Sequence, residues 1–209
     1  MEQQFQYYAF ISYKREDEKW AKWLQDRLRW YKLPSKLCRQ ITRLPKKVWP
    51  VFRDNTDLDS GRLEENIRHE LERSHYLIVI CSPEAARSPW VGKEVKYFAT
   101  LHGADKIIPF VVSGIPYSND IETECIHEQI KAISQEELLA INVREEGIGS
   151  FAMKKKRAFI RVVARLLDIK FNTLWQPYER ILRIRKWSTG IGVVFILIRF
   201  IHRVGLLPD

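Results

Sequence analysis

The chain has 209 residues, 45% of them hydrophobic, which is enough to bury the core of one domain of about 150 to 170 residues followed by a tail. Its formal net charge of +9 at pH 7 favours anionic partners such as nucleotide phosphates or an acidic membrane surface. Much of the excess positive charge lies in Lys154–Arg157 and Arg180–Lys186, beside apolar segments. This pattern favours a membrane-facing C-terminal end, and nucleic acid is not expected as a partner.

The cysteines Cys38, Cys81 and Cys125 are widely spaced and include no Cys-x-x-Cys pair. Their number and spacing argue against a disulfide framework and a structural zinc site, so we expect a reducing cytosol. The N-terminus has no basic segment followed by an apolar one, and we predict no secretory signal. The histidines lack the spacing of metal ligands, and we assign no metal site.

The first part of the chain predicts a strand, a helix and a second strand. Tyr7–Tyr13 is continuously apolar, as expected of a central parallel strand. An amphipathic helix follows and ends before Pro34. Ser35–Lys47 is basic and indicates an extended connection, whereas Val48–Phe52 predicts a short strand. Because Pro50 lacks a backbone donor, that strand belongs at an edge or a bend of the sheet.

The middle of the chain continues this alternation. Arg53–Gly61 is a loop of turn-forming residues that leads into a second helix, with Asp59 or Ser60 as a candidate cap. Tyr76–Ile80 and Lys106–Val112 are apolar runs that predict buried strands, with a helix between them. Strands and helices that alternate with short connections imply a parallel sheet covered by helices on both faces.

The pattern weakens after residue 113. Cys125–Ile133 predicts a short helix, and Glu136–Asn142 predicts a segment that ends in a last edge strand. Ser150–Leu167 has the apolar spacing of a closing helix that packs on the sheet. We therefore predict an α/β domain over residues 1–168 and a basic linker with an apolar helix over residues 169–209.

The tail predicts a membrane-associated helix or a helix packed on protein. Trp187–Ile198 carries no charge, but it is shorter than the roughly 20 apolar residues that a spanning helix needs. Extension to Leu207 admits Arg199, His202 and Arg203, each of which is costly at the centre of a bilayer. Partial insertion or a strained span, with the basic cluster on the cytoplasmic side, is favoured over packing on the core or a partner.

The stretch Ser82–Glu94 lies just beyond the C-terminal end of a predicted strand, where open α/β sheets bind ligands. Ser88 and Pro89 fit the N-cap and first position of a helix. Trp90 and Glu94 then lie one turn apart on one helix face. An aromatic side chain beside a single carboxylate predicts a ligand site at this position.

Three stretches resemble the signature boxes of the TIR (Toll/interleukin-1 receptor) domain in its bacterial form. They are FISYKRED at Phe10–Asp17, VFRDNTDLDSG at Val51–Gly61 and SPEAARSPWVGKE at Ser82–Glu94. Their order and spacing also match, and the resemblance covers about Gln6–Leu167. It implies a flavodoxin-like fold with a five-stranded parallel sheet and helices on both faces. The tail is similar to that of bacterial TIR proteins in which a membrane segment follows the domain.

For many members of the family the resemblance also implies cleavage of NAD+, as a substrate and without a cofactor, by a glutamate in a Trp-x-x-x-Glu arrangement. Trp90 and Glu94 match that arrangement, so Glu94 is the implied catalytic residue. Arg53–Gly61 corresponds to the family's BB loop, which would cover the pocket and join head-to-tail assembly. The candidate residues are Phe10, Ser12, Lys14, Arg15, Asp54 and Trp90 for substrate binding, and Asp57, Leu58 and Gly61 for assembly.

Each candidate residue also has an ordinary structural interpretation. Glu94 could be a solvated helix carboxylate that pairs with a lysine, since some TIR domains only act as scaffolds. Trp90 could be a plain core residue. Lys14 and Arg15 could be solvated loop residues rather than a clamp for pyrophosphate, and the aspartates of Arg53–Gly61 could serve only the turn.

Two functions are therefore carried forward. The first is an NAD+ glycohydrolase that yields nicotinamide and ADP-ribose, or a cyclic or transferred derivative, in bacterial antiphage defence. It would act by depleting NAD+ or by signalling to a separate effector. The second is a non-catalytic adaptor that acts through TIR–TIR self-assembly. The expected location is cytoplasmic, with attachment to the inner membrane through residues 187–207.

Overall fold

The computed structural model describes residues 5–41, 44–45, 47–53, 61–133, 140–144 and 149–176. The chain divides into two compact units, Met1–Asp168 and Ile169–Asp209. The strands, all in the first unit, are β1 (Ala9–Ser12), β2 (Val51–Arg53), β3 (Leu77–Cys81), β4 (Ile107–Val111) and β5 (Ile141–Asn142). The helices are α1 (Glu18–Trp30), α2 (Ser35–Gln40), α3 (Gly61–Glu72), α4 (Pro83–Ala86), α5 (Pro89–His102), α6 (Glu128–Ile133) and α7 (Phe151–Leu166).

The five strands form one sheet in the order β2-β1-β3-β4-β5, and every neighbouring pair is parallel. This is the strand order of flavodoxin-like doubly wound folds, in which the chain reverses direction across the sheet beside the first strand. Ile11 of β1 lies opposite Arg53 on one side and Ile78 on the other. The predicted five-stranded α/β fold is confirmed, as are the edge positions of β2 and β5.

The core lies on both faces of the sheet, because successive residues of a buried strand point to opposite sides. On one face Phe10 belongs to a buried cluster with residues of α3 and α5, including Leu71 and Phe98. On the other face Trp23 of α1 stacks on Phe110 of β4, with ring centroids 6.4 Å apart and planes at 21°. Trp23 also meets the ring of Phe159 on α7 edge to face. Both layers of helices therefore hold the strands in place.

Two short helices differ from the prediction. The first half of the predicted extended connection Ser35–Lys47 is the helix α2, which begins directly after Pro34. Leu37 in this helix is 6% exposed, so apolar burial stabilises a segment whose periodicity is weak. Helix α4 was not predicted; the Ser82 hydroxyl caps it by accepting a hydrogen bond from the Ala85 amide at 3.1 Å.

The first strand is shorter than the predicted Tyr7–Tyr13. Tyr7 makes only an isolated bridge to Ser74, and regular pairing starts at Ala9. The helix predicted over Cys125–Ile133 begins only at Glu128. The type and order of these elements hold, while their ends depend on neighbours that the sequence does not reveal.

In the second unit residues 171–176 are helical, and Phe171 stacks on Trp175 with ring centroids 5.6 Å apart. The predicted apolar helix over Trp187–Ile198 lies outside the described residues. Among the residues that the structure does describe, no helix has both the length and the apolar character needed to cross a bilayer.

Helix α5 packs closely on the segment before α6. A Cβ added at Gly92 would lie 2.5 Å from Cε1 of His127 and 2.7 Å from its Nε2. His127 is 7% exposed, and its Nδ1 accepts a hydrogen bond from the Gln129 amide at 3.0 Å. Burial lowers the pKa of His127, so the packed imidazole is neutral. Only glycine allows this ring to lie against the helix.

We predict that Gly92→Ala lowers the free energy of unfolding by about 1–3 kcal/mol, because the new methyl group overpacks the imidazole. In a His127→Ala background the same substitution should be neutral, or stabilise by about 0.5–1 kcal/mol, since alanine is the better helix former. Urea denaturation of the four proteins measures both effects. Equal destabilisation in the two backgrounds would contradict this packing.

Candidate active site

The candidate site lies at the carboxyl edge of the sheet, where the ends of parallel strands meet. Ser12 is the last residue of β1, and α5 begins shortly after β3 ends. The Ser88 hydroxyl accepts a hydrogen bond from the Val91 amide at 3.4 Å, which confirms Ser88 as the N-cap of α5. The helix start therefore places Trp90 and Glu94 in its first and second turns.

Glu94 is a buried carboxylate, 5% exposed. Its Oε2 accepts a hydrogen bond from the hydroxyl of Ser12, which is 1% exposed and 82 residues away in sequence. A carboxylate removed from water is tolerated only when such donors replace the lost hydration. Glu94 is thus held in one orientation rather than solvated at the helix surface.

A cavity of about 300 Å³ lies between α3 and α5 and includes Glu94 in its wall. This volume is at the lower end of the range for small-molecule sites, roughly 300–1,000 Å³. The residues that line it are Ile67, Arg68, Leu71, Trp90, Lys93, Glu94, Lys96, Tyr97 and Thr100.

The cavity combines aromatic rings with cations. The Lys93 ammonium lies 5.6 Å from the ring centroid of Trp90, and the Arg68 guanidinium lies 5.4 Å from that of Tyr97. Lys96 also lines the cavity. One buried carboxylate among three cations suits a ligand that carries both a positive centre and anionic groups.

A larger cavity of about 680 Å³ runs along another side of α5, where Gly92 packs on His127. Lys93 and Lys96 border both cavities, whereas Trp90 and Glu94 line only the smaller one. We place the candidate active site in the smaller cavity, because it brings an oriented carboxylate to an aromatic wall.

The predicted substrate-binding residues lie in different parts of the structure. Trp90 lines the cavity. Phe10 is fully buried, and its ring stacks on that of Phe52 with centroids 5.2 Å apart. Ser12 contacts Glu94 rather than the cavity. Lys14 is half-buried and Arg15 is exposed, and neither belongs to the cavity wall.

The predicted assembly loop is only partly described. Asp54, Asp57 and Leu58 lie outside the described residues. Arg53 is the last residue of β2 and Gly61 is the first residue of α3, so the two end residues of the predicted loop belong to regular elements.

Sequence reasoning did not single out the cationic part of the cavity wall or Tyr97. A signal was present, because Trp90, Lys93, Glu94 and Tyr97 have the i, i+3, i+4, i+7 spacing of one helix face. The contribution of Arg68 had no such signal, because it depends on how α3 packs against α5.

The strand order and the cavity define a flavodoxin-like α/β domain with a candidate ligand site between α3 and α5 that includes Glu94. A family model described as TIR domain matches residues 9–146, which is more than half of the chain. The chain therefore belongs to the TIR domain family.

The chain resembles a curated relative and a solved structure that contains TIR domains. The NAD(+) hydrolase ApTIR of Actinoplanes sp. is 36% identical over 110 residues, which is 52% of this chain and 14% of the relative's length. The TIR domains of the activated Roq1 resistosome, which directly recognises the pathogen effector XopQ, match with a TM-score of 0.48 and 14% identity. That match covers 74% of this chain and 98% of the other.

We predict that Ser12→Ala lowers the free energy of unfolding by about 1–3 kcal/mol, because a buried charged acceptor loses a donor. A double-mutant cycle with Glu94→Ala should give a coupling energy of about 1–3 kcal/mol in urea denaturation. Ser74→Ala is the matched control, since this fully buried serine donates to the Glu70 carbonyl at 2.7 Å. The effects of Ser74→Ala and Glu94→Ala on the free energy of unfolding should simply add. If those of Ser12→Ala and Glu94→Ala also add, the contact between Ser12 and Glu94 is contradicted.

Proposed function

We propose that the chain is an NAD+ glycohydrolase that cleaves the bond between nicotinamide and ribose. The observation that carries the proposal is the buried Glu94 carboxylate, held by Ser12 in the wall of a cavity that also contains Trp90. The similarity to a TIR protein named NAD(+) hydrolase supports the same substrate.

One carboxylate is enough for this reaction. Glycosidases use two carboxyl groups because one of them must protonate a poor leaving group. The nicotinamide of NAD+ is already a pyridinium, so the breaking bond leaves its electron pair on the ring nitrogen and a neutral base departs. Positive charge then develops on the ribose, and the anionic Glu94 stabilises it. Addition of water to the ribose carbon, with loss of a proton, gives ADP-ribose.

The other residues suit the remaining parts of the dinucleotide. The Trp90 ring would pack against the ribose or the nicotinamide. Lys93 and Lys96 are placed to attract phosphate oxygens at the cavity. Lys14 and Arg15 follow the end of β1 at the same edge of the sheet, and we propose that they hold the pyrophosphate.

The test is release of nicotinamide from NAD+ by the full chain, assayed in dilute, concentrated and filament-forming preparations. Glu94→Gln and Glu94→Ala should each reduce the rate by roughly 10²-fold or more, because the charge that stabilises the ribose is lost. Glu84→Gln is the matched control, since Glu84 is exposed on the neighbouring helix α4.

Two results would reject the enzymatic proposal. The first is a parent protein that releases no nicotinamide in any preparation, and the second is a Glu94→Ala variant that releases as much as the parent. Either result would favour the adaptor, in which self-assembly of TIR domains is the whole activity.

The biological role that we propose is bacterial antiphage defence, through loss of NAD+ or through an ADP-ribose product that a separate effector detects. Self-association through the Arg53–Gly61 segment would join neighbouring TIR domains. Mass spectrometry of the product separates ADP-ribose from a cyclic or transferred derivative, which decides between hydrolysis and the alternatives.

We propose a cytoplasmic location with attachment to the inner membrane through the tail. Deletion of Trp187–Asp209 should then move the protein from the membrane fraction to the soluble fraction, because the apolar run is lost. Deletion of only Leu207–Asp209 is the control and should leave the distribution unchanged. A full chain found in the soluble fraction would contradict the proposal.

A further inference from the structure

The connection between β1 and α1 is tied by side chains to three other elements. At its start the Ser12 hydroxyl donates to Glu94 on α5. One residue later the Tyr13 hydroxyl accepts a hydrogen bond from Nη1 of Arg53, at the end of β2, at 3.0 Å. At the other end the Ser82 hydroxyl, which follows β3, donates to Oδ2 of Asp17. The segment that carries Lys14 and Arg15 is therefore held at both ends.

Arg53 is suited to hold one end firmly. Its side chain is 9% exposed and donates to Oε1 of Gln25 at 3.1 Å and to Oε1 of Glu18 at 3.3 Å, besides Tyr13. The guanidinium also lies 5.7 Å from the centroid of the Tyr13 ring. The Gln25 amide in turn donates to the Val51 carbonyl of β2 at 3.1 Å. A guanidinium with several fixed acceptors has little freedom to turn, so the Tyr13 hydroxyl is held in place.

The other end is held by a buried hydrogen bond from Ser82 to Asp17. Asp17 is 7% exposed and Ser82 is fully buried. Burial raises the pKa of Asp17, and the hydrogen bond from Ser82 offsets only part of that effect. A buried carboxylate that is costly to ionise contributes little to the stability of a fold. Such a carboxylate can still fix where a loop ends, because the buried donor that it contacts defines its position.

We infer that the Tyr13–Arg53 and Asp17–Ser82 contacts position the Lys14–Arg15 segment to bind the pyrophosphate of a dinucleotide. Tyr13, Arg53, Asp17 and Ser82 are positioning residues and do not touch the substrate. The inference rests on the proposed function, because it assigns this segment to the same ligand. The segment between two fixed ends loses little conformational freedom when the anion binds, so the affinity depends on both contacts.

The experiment compares Tyr13→Phe and Asp17→Ala with two controls in the full chain. Asp17→Asn keeps an oxygen that accepts from Ser82 and should restore the parent's behaviour. Tyr7→Phe removes a tyrosine hydroxyl at the opposite edge of the sheet, where it accepts a hydrogen bond from Gln6 at 3.3 Å. Thermal unfolding of every variant shows that it is folded before ligand binding is measured.

Two readouts separate positioning from stability. Tyr13→Phe and Asp17→Ala should each raise KM for NAD+ by roughly 3–10-fold, the equivalent of one hydrogen bond, with kcat within about 2-fold of the parent. In a Glu94→Gln background the same changes should weaken binding of ADP-ribose, measured by calorimetry, by a similar factor. The Tyr7→Phe protein should keep the parent's KM and affinity even where its thermal stability falls.

The outcomes distinguish this inference from the proposed function. If the parent cleaves NAD+ and the Tyr13 and Asp17 variants keep its KM, the inference is overturned and the enzyme assignment stands. If the parent releases no nicotinamide but binds ADP-ribose in a manner that depends on Tyr13 and Asp17, the inference stands and the enzyme assignment falls. A parent that neither cleaves NAD+ nor binds ADP-ribose would overturn both.

Discussion

The hydrogen bond from Ser12 to Glu94 joins the end of the central strand β1 to the second turn of α5. A parallel sheet brings strand ends to one edge, and a helix that starts at that edge can reach the neighbouring strand. Burial of a carboxylate is unfavourable, and the Ser12 hydroxyl offsets part of that free energy by donating a hydrogen bond where water has been removed. The orientation of Glu94, and with it the chemistry available to the cavity, depends on this pair.

Helix α5 can hold Glu94 firmly because its other faces are closely packed. Gly92 leaves room for the neutral imidazole of His127, while Val91, Val95 and Phe98 are buried in the core. The helix is thus fixed on its apolar sides and presents Glu94 to the cavity from a rigid support. A reaction that stabilises developing charge benefits from such preorganisation, since no group must move when the charge appears.

The polar side chains around the sheet edge divide into two sets with different tasks. Glu94 and the cations Lys93 and Lys96 line the cavity, where a substrate would meet them. The second set links the strand ends to one another, with Arg53 on β2 and Asp17 before α1 as its anchors. Ser12 contacts Glu94 of the first set, and the next residue, Tyr13, contacts Arg53 of the second. The geometry of the cavity and that of the loop are therefore coupled through one short piece of backbone.

Local patterns in the sequence determined the alternation of strands and helices, the start of α5 at Ser88, and the common face of Trp90 and Glu94, because propensity, capping and helical spacing act within a few residues. Only the tertiary structure decided which side chains meet. It buried Phe10 in the core, gave Glu94 its partner Ser12, and brought the cations of two helices to one cavity. These outcomes depend on contacts between residues far apart in the chain, which no local spacing encodes.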